Sequence, residues 1–179
     1  MRISKLAILA GLTCALTLQA SAATWLFQAF LSGDQEVPPT DSPGKGVFAF
    51  NYDDATNAID VIFLDVISLT ANSTTEIVGT HIHAAPFGSN GPIIVDFLGG
   101  GAGSWSGMFG VFEYTQAGSL ILPEDREDDL FAGNTYINVH TFKFGGGEIR
   151  GQINLVPEPA TLVILSAGLG ILAARRRNR

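Results

Sequence analysis

Short runs of alternating apolar and polar residues fill the middle of the chain, and turns rich in glycine, proline, Asp or Asn separate them. This period of two predicts strands with one face toward a core and the other toward a polar environment. The eight runs predicted as strands are residues 25–31, 46–52, 58–67, 76–83, 93–97, 108–114, 136–141 and 148–153. Eight strands at hairpin spacing favour an all-β fold, either an antiparallel β-sandwich or a Greek-key barrel.

Local signals between these runs predict turns and one short helix. The Asp- and Asn-rich residues 53–57 suit a hairpin connection. Pro123 fits a first helical position, acidic residues follow it, and Gly133 suits a helix end. The glycine-rich stretch 99–103 is predicted to be a flexible connection. Trp105, just after it, is a candidate contact for sugar rings, with packing in the core as the alternative.

The N-terminal residues 1–23 have the three parts of a secretory signal peptide. Arg2 and Lys5 supply a positive start, residues 6–18 form an apolar run, and Ala20 and Ala22 place small residues at a cleavage site. We therefore expect an N-terminal signal helix that signal peptidase removes. The single cysteine of the chain, Cys14, would leave with it.

The C-terminal residues 156–179 are patterned as a membrane-directed segment. Pro157, Glu158 and Pro159 precede an uncharged stretch, 160–174, and an arginine cluster that includes Arg175, Arg176 and Arg177. A helix of this stretch is about 22 Å long, whereas a bilayer core measures about 30 Å. The segment is expected to be a hydrophobic helix in the inner membrane, either before processing or as a permanent anchor, with its arginines on the cytoplasmic side.

The domain between these ends, residues 24–155, is strongly acidic. It carries sixteen Asp or Glu residues against four Lys or Arg residues, a net charge of −12. Such a charge repels phosphate backbones, which excludes nucleic acid as a partner. Because the domain has no cysteine, disulfides, thiol chemistry and cysteine-ligated metals are excluded as well.

The three histidines of the chain form its sharpest chemical pattern. In a strand, His81 and His83 point to the same side about 6.6 Å apart. The same alternation places Asn138 with His140 on one face of its strand and Ile137 with Val139 on the other. If these strands are neighbours, one polar face also collects Asn138, Glu148, Arg150 and Gln152.

Two interpretations of this polar face remain open. His81, His83 and His140 could bind a single copper or zinc ion, since imidazoles suit both metals and three ligands leave one position open. Alternatively, the side chains form a hydrogen-bond network that fixes loops, and the protein has no cofactor.

The C-terminal pattern resembles a PEP-CTERM sorting signal. The resemblance rests on the Pro-Glu-Pro motif, the apolar span and the arginine tail together. It implies a Gram-negative bacterium, processing by a membrane-embedded exosortase, and a destination at the cell surface or in the extracellular biofilm matrix.

The domain itself resembles the CHRD family, the module named after chordin. Three motifs carry the resemblance in order: residues 27–39, residues 81–92, and the closing residues 133–152 with their Gly-Gly-Glu-Ile-Arg-Gly-Gln run. The resemblance implies an exported module that spans about residues 25–154 and leaves its ligand open.

The sequence therefore supports two hypotheses of function. The first is a non-enzymatic, exported binding or matrix protein whose ligand is a polysaccharide or a surface protein, because no complete catalytic set is present. The alternative is a metalloprotein, such as an oxidoreductase, with the three histidines as ligands.

Overall fold

A computed structural model describes residues 23–157, which hold eleven strands and one α-helix. The strands are β1 Thr24–Ser32, β2 Lys45–Asp53, β3 Ala58–Ile67, β4 Ile77–Ala84, β5 Ile93–Asp96, β6 Gly103–Met108, β7 Val111–Gln116, β8 Leu120–Ile121, β9 Thr135–Thr141, β10 Ile149–Gln152 and β11 Asn154–Leu155; the helix is α1 Glu127–Phe131. The predicted signal helix and C-terminal hydrophobic helix lie outside the described residues. Within 23–157, no helix is long and apolar enough to cross a membrane.

The strands form one sheet in which every pair is antiparallel, so the predicted all-β class is confirmed. The order along the sheet is β5-β4-β9-β10-β1-β2-β3-β7-β6, with β11 beside β1 and β8 beside β3. β9 therefore lies between β4 and β10, which makes neighbours of the strands that carry the histidines and the closing polar motif.

The sheet curls so that its two ends meet across an aromatic core. Trp105 on β6 donates its indole N–H to Thr80 Oγ1 on β4 at 3.1 Å. The Tyr114 hydroxyl on β7 donates to the carbonyl of Phe97, just after β5, at 2.8 Å. These bonds satisfy the polar atoms of large buried side chains while their rings fill the interior. Because Trp105 is buried, its predicted contact with sugar rings is wrong, and packing in the core is its role.

The region around the β6–β7 hairpin departs from the predicted strands. The sequence predicts one strand over 108–114, whereas the chain turns between Met108 and Val111. Both residues of this two-residue turn, Phe109 and Gly110, have positive φ, which is the geometry of a tight hairpin turn. β6 was missed because its glycines and serines give a weak strand signal.

The short helix follows its predicted signals closely. A 3₁₀ turn over Glu124–Arg126 starts directly after Pro123 and leads into α1. The backbone N–H of Gly133, which has a φ of 71°, donates to the carbonyl of Leu130 and ends the helix.

Glu148, just before β10, holds three segments of the chain together, two of them distant in sequence. Its carboxylate is fully buried and accepts hydrogen bonds from the hydroxyls of Ser42, Thr70 and Thr141 at 2.6–2.9 Å. It also accepts one from the backbone N–H of Thr70 at 2.7 Å. Four donors around one buried carboxylate make this residue a structural junction.

We expect Glu148→Ala to lower the free energy of unfolding by about 3 kcal/mol or more, because four donors lose a charged acceptor inside the protein. Urea denaturation followed by circular dichroism measures this loss. Glu113→Ala, at an exposed position of β7, is the matched control and should change stability by only about 0.5 kcal/mol. Equal effects of the two substitutions would contradict the junction role.

Candidate metal centre

The register between β4 and β9 brings the three histidines together. His81 lies opposite Asn138, His83 lies opposite Tyr136, and His140 lies opposite Gly79. These positions share one face of the sheet, so the three imidazoles become neighbours. One ligand atom from each of His81, His83 and His140 can be chosen so that all three atoms lie within 4.8 Å of one another.

Backbone carbonyls fix the tautomers of two of these rings. Nδ1 of His83 is 2.9 Å from the carbonyl oxygen of Gly91, and Nδ1 of His140 is 3.0 Å from that of Gly145. A carbonyl only accepts, so each Nδ1 carries the proton and each Nε2 presents a lone pair. A histidine that binds a metal through one ring nitrogen is typically held by a hydrogen bond that its other ring nitrogen donates.

The ligand nitrogens converge on one another. Nε2 of His140 is 3.2 Å from Nδ1 of His81, so without a metal ion it accepts a hydrogen bond from that nitrogen. Nε2 of His83 is buried and has no hydrogen-bond partner among the described residues. An unpartnered buried nitrogen is costly unless something else occupies its lone pair. The carboxylate of Asp96 lies near the ring of His81, with its Oδ1 3.9 Å from Nε2.

Burial lowers the pKa values of all three rings and so favours their uncharged form. Burial is the main cause that lowers the pKa of His81, and the neighbouring His140 ring adds to the effect. Burial also lowers the pKa values of His83 and His140, and the bonds to Gly91 and Gly145 oppose it only partly. Neutral imidazoles keep the lone pairs that a metal ion requires.

Gly79 provides the space for two of the rings. A Cβ at this position would lie 2.7 Å from Cε1 of His81 and 3.3 Å from Cδ2 of His140. Gly79 is two residues before His81 on the same face, so strand alternation could have identified it. The carbonyls of Gly91 and Gly145 come from loops, and the sequence gives no comparable signal for them.

A stack of three planar groups supports the cluster from one side. The ring of His83 is parallel to that of Tyr136, with the centroids 4.8 Å apart. The guanidinium of Arg150 lies 3.3 Å from the centroid of Tyr136. Because β9 lies between β4 and β10, the Tyr136 ring separates the positive Arg150 from the imidazole.

The predicted polar-face residues divide into three sets. Asn138 adjoins the histidines, with its Oδ1 3.0 Å from Nε2 of His140. Arg150 donates to the side-chain oxygen of Gln152, whose amide group donates to backbone carbonyls. Glu148 belongs instead to the separate junction described above, so the structure does not bring it to the histidines.

This polar face is covered rather than exposed. Asn138, Arg150 and Gln152 are all buried, because loops fold over the sheet. One of these loops is held by Asn90, which donates to the carbonyl of Val37 and accepts from Arg150.

The predicted processing residues lie almost entirely outside the described part of the chain. Pro157 is the last described residue and is exposed. The other residues of the sorting and cleavage predictions lie beyond the described ends: Ala20, Ala22, Glu158, Pro159, Arg175, Arg176 and Arg177.

Glu36 is a buried acid near Arg150 that the sequence did not single out. Its side chain is 5% exposed and its Oε1 has no hydrogen-bond partner among the described residues. Burial raises the pKa of Glu36 to about 7, although the positive charge of Arg150 opposes the shift.

Comparison with known families matches both parts of the chain. The CHRD domain matches residues 27–153, and the PEP-CTERM protein-sorting motif matches residues 155–178. Both resemblances drawn from the sequence are thereby confirmed. No curated protein and no solved structure matches the chain.

We expect Glu36→Gln to stabilise the protein increasingly as the pH rises from about 5 to 8. The folded carboxyl has a pKa of about 7 against an ordinary value of 4.5, so the folded state keeps a proton that the unfolded chain releases between these values. Wild-type stability is therefore lost across this window as the pH rises, and glutamine removes that loss.

Thermal unfolding of both proteins at several pH values measures this difference. Glu113→Gln makes the same change of charge at an exposed position. A difference between wild type and Glu36→Gln that stays constant or shrinks with rising pH would contradict the prediction.

Proposed function

The chain belongs to the CHRD domain family, and we propose that this exported, exosortase-sorted protein binds one copper or zinc ion through His81, His83 and His140. The observation that carries the proposal is the convergence of one ring nitrogen from each of the three imidazoles within 4.8 Å, one of which, Nε2 of His83, is buried with no hydrogen-bond partner among the described residues. The two histidines whose tautomers are fixed, His83 and His140, present Nε2 to the cluster.

The donor set points to copper or zinc in particular. Imidazole nitrogens suit both metals, whereas calcium and magnesium prefer oxygen ligands. For a site of nitrogen ligands the intrinsic affinity is higher for Cu²⁺ than for Zn²⁺. We therefore expect Cu²⁺ to bind more tightly, and metal supply in the cell envelope to decide which ion is present.

We also propose that the module binds rather than catalyses. The chain has three histidines, and all three belong to the cluster, so none is left to serve as a separate acid or base. The protein would then present either the bound metal ion itself, or a protein surface that the ion holds in order, outside the inner membrane.

A second candidate function, attachment to a polysaccharide or surface protein, is favoured by an open cleft of about 710 Å³. Pro38, Pro39 and Phe144 give it apolar surface, while Asp41 and Lys143 supply polar groups. This volume and this mixture of surfaces are typical of ligand-binding clefts. Polysaccharide is the ligand we favour, because a sugar ring combines an apolar face with hydroxyl groups.

Metal binding can be measured by calorimetry on the full chain purified in detergent. We expect one Cu²⁺ or Zn²⁺ per chain with a dissociation constant of about 1 μM or lower. The triple substitution His81→Ala, His83→Ala and His140→Ala should weaken binding by about 100-fold or more.

The control for this experiment is calcium, which oxygen-rich surfaces bind and imidazoles do not. Any weak calcium binding by the acidic domain should be the same in wild type and in the triple variant. Copper or zinc binding that also survives in the triple variant would refute the site.

The cleft is tested by co-sedimentation of the protein with insoluble cellulose and chitin. We expect the protein to sediment with at least one of them and Phe144→Ala to reduce that fraction about tenfold. Phe142→Ala is the matched control, because Phe142 is exposed and does not line the cleft. Failure to sediment with either, or equal loss in both variants, would count against polysaccharide binding.

A further inference from the structure

Asn138 is the polar side chain placed directly against the histidine lone pairs. It lies opposite His81 in the ladder between β4 and β9, and it is 3% exposed. Its Oδ1 is 3.0 Å from Nε2 of His140. Since the N–H of His140 points to Gly145, this contact sets an amide oxygen against a nitrogen lone pair. Two acceptors in contact repel each other unless a cation lies between them or the amide turns round.

The distances around His140 are those between neighbouring ligands of one ion. With metal–ligand bonds of about 2.0–2.1 Å, two ligands lie about 3.3 Å apart in a tetrahedral site and about 2.9 Å apart in a square-planar one. From Nε2 of His140, the distances are 3.2 Å to Nδ1 of His81 and 3.0 Å to Oδ1 of Asn138. Both values fall within this range.

We propose that the side-chain carbonyl of Asn138 is the fourth ligand of the metal, which makes the site a closed set of three imidazoles and one amide oxygen. The inference rests on the proposed metal site and deepens it. A zinc site with four protein ligands is closed and holds the ion, whereas a catalytic site keeps one position for water. Asn138 therefore makes this a site that holds metal rather than one that activates water.

The direction in which two substitutions change zinc affinity separates this role from a purely structural one. If Asn138 is a ligand, Asn138→Ala should bind Zn²⁺ about tenfold more weakly or worse. Asn138→Asp should bind it more tightly, because a carboxylate is a stronger ligand. If the amide instead only donates to Nε2 of His140, then Asn138→Ala frees that lone pair. Zinc affinity would then stay the same or rise, and the proposal would fail.

A cysteine at the same position gives a direct spectroscopic reading. In a Cys14→Ser background of the full chain, Asn138→Cys adds the only thiol. A side chain at a ligand position should produce a zinc–sulfur distance near 2.3 Å in X-ray absorption spectra. A spectrum with nitrogen and oxygen neighbours alone would overturn the proposal even if affinity changes.

Two controls keep the outcomes separate. Asn51→Ala, on β2, removes the same side chain elsewhere in the sheet and should leave zinc affinity unchanged. Circular dichroism of the metal-free variants shows whether each one folds. If the wild type binds no zinc, the proposed function itself fails. If the wild type binds zinc and Asn138→Ala binds it equally well, only the role of Asn138 fails.

Discussion

The register between β4 and β9 is the constraint on which the candidate centre depends. A slip of β4 by one residue would turn His81 and His83 toward the opposite face of the sheet, away from His140 on β9. That face is occupied by Ile82, Ile137 and Val139, all fully buried, so the hydrophobic effect opposes the slip strongly. The apolar side of the two strands therefore sets the geometry of the polar side, although none of its residues touches the imidazoles' lone pairs.

Coverage by loops gives the polar face its chemistry. An exposed histidine pair would bond to water and titrate near its ordinary pKa. Here the carbonyls of Gly91 and Gly145 select one tautomer in each bonded ring, and burial disfavours the protonated form. Among the described residues, Nε2 of His83 is the ring nitrogen of the cluster that is buried without a hydrogen-bond partner, and a metal ion is the occupant that suits a neutral imidazole lone pair.

The alternation of side chains along strands predicted much of the candidate site from the sequence. It failed at residues that lie outside the regular strands. It placed His81, His83, Asn138 and His140 on one face, because all four lie in the regular part of the ladder between β4 and β9. It misplaced Glu148, which precedes β10 and follows Gly147, a residue with a φ of 124°. Burial of the polar face and the two carbonyl partners depend on long-range loop packing, which no local pattern in a single sequence records.

The most direct test of the central claim is the electron paramagnetic resonance spectrum of the chain loaded with one equivalent of Cu²⁺. Three imidazole ligands predict coupling of the copper electron to three nitrogens, which changes when the histidines carry ¹⁵N. Coupling to three histidine nitrogens would establish that His81, His83 and His140 bind one ion together. Coupling to one nitrogen or none, with no effect of labelled histidine, would show that the cluster is a buried network rather than a metal centre.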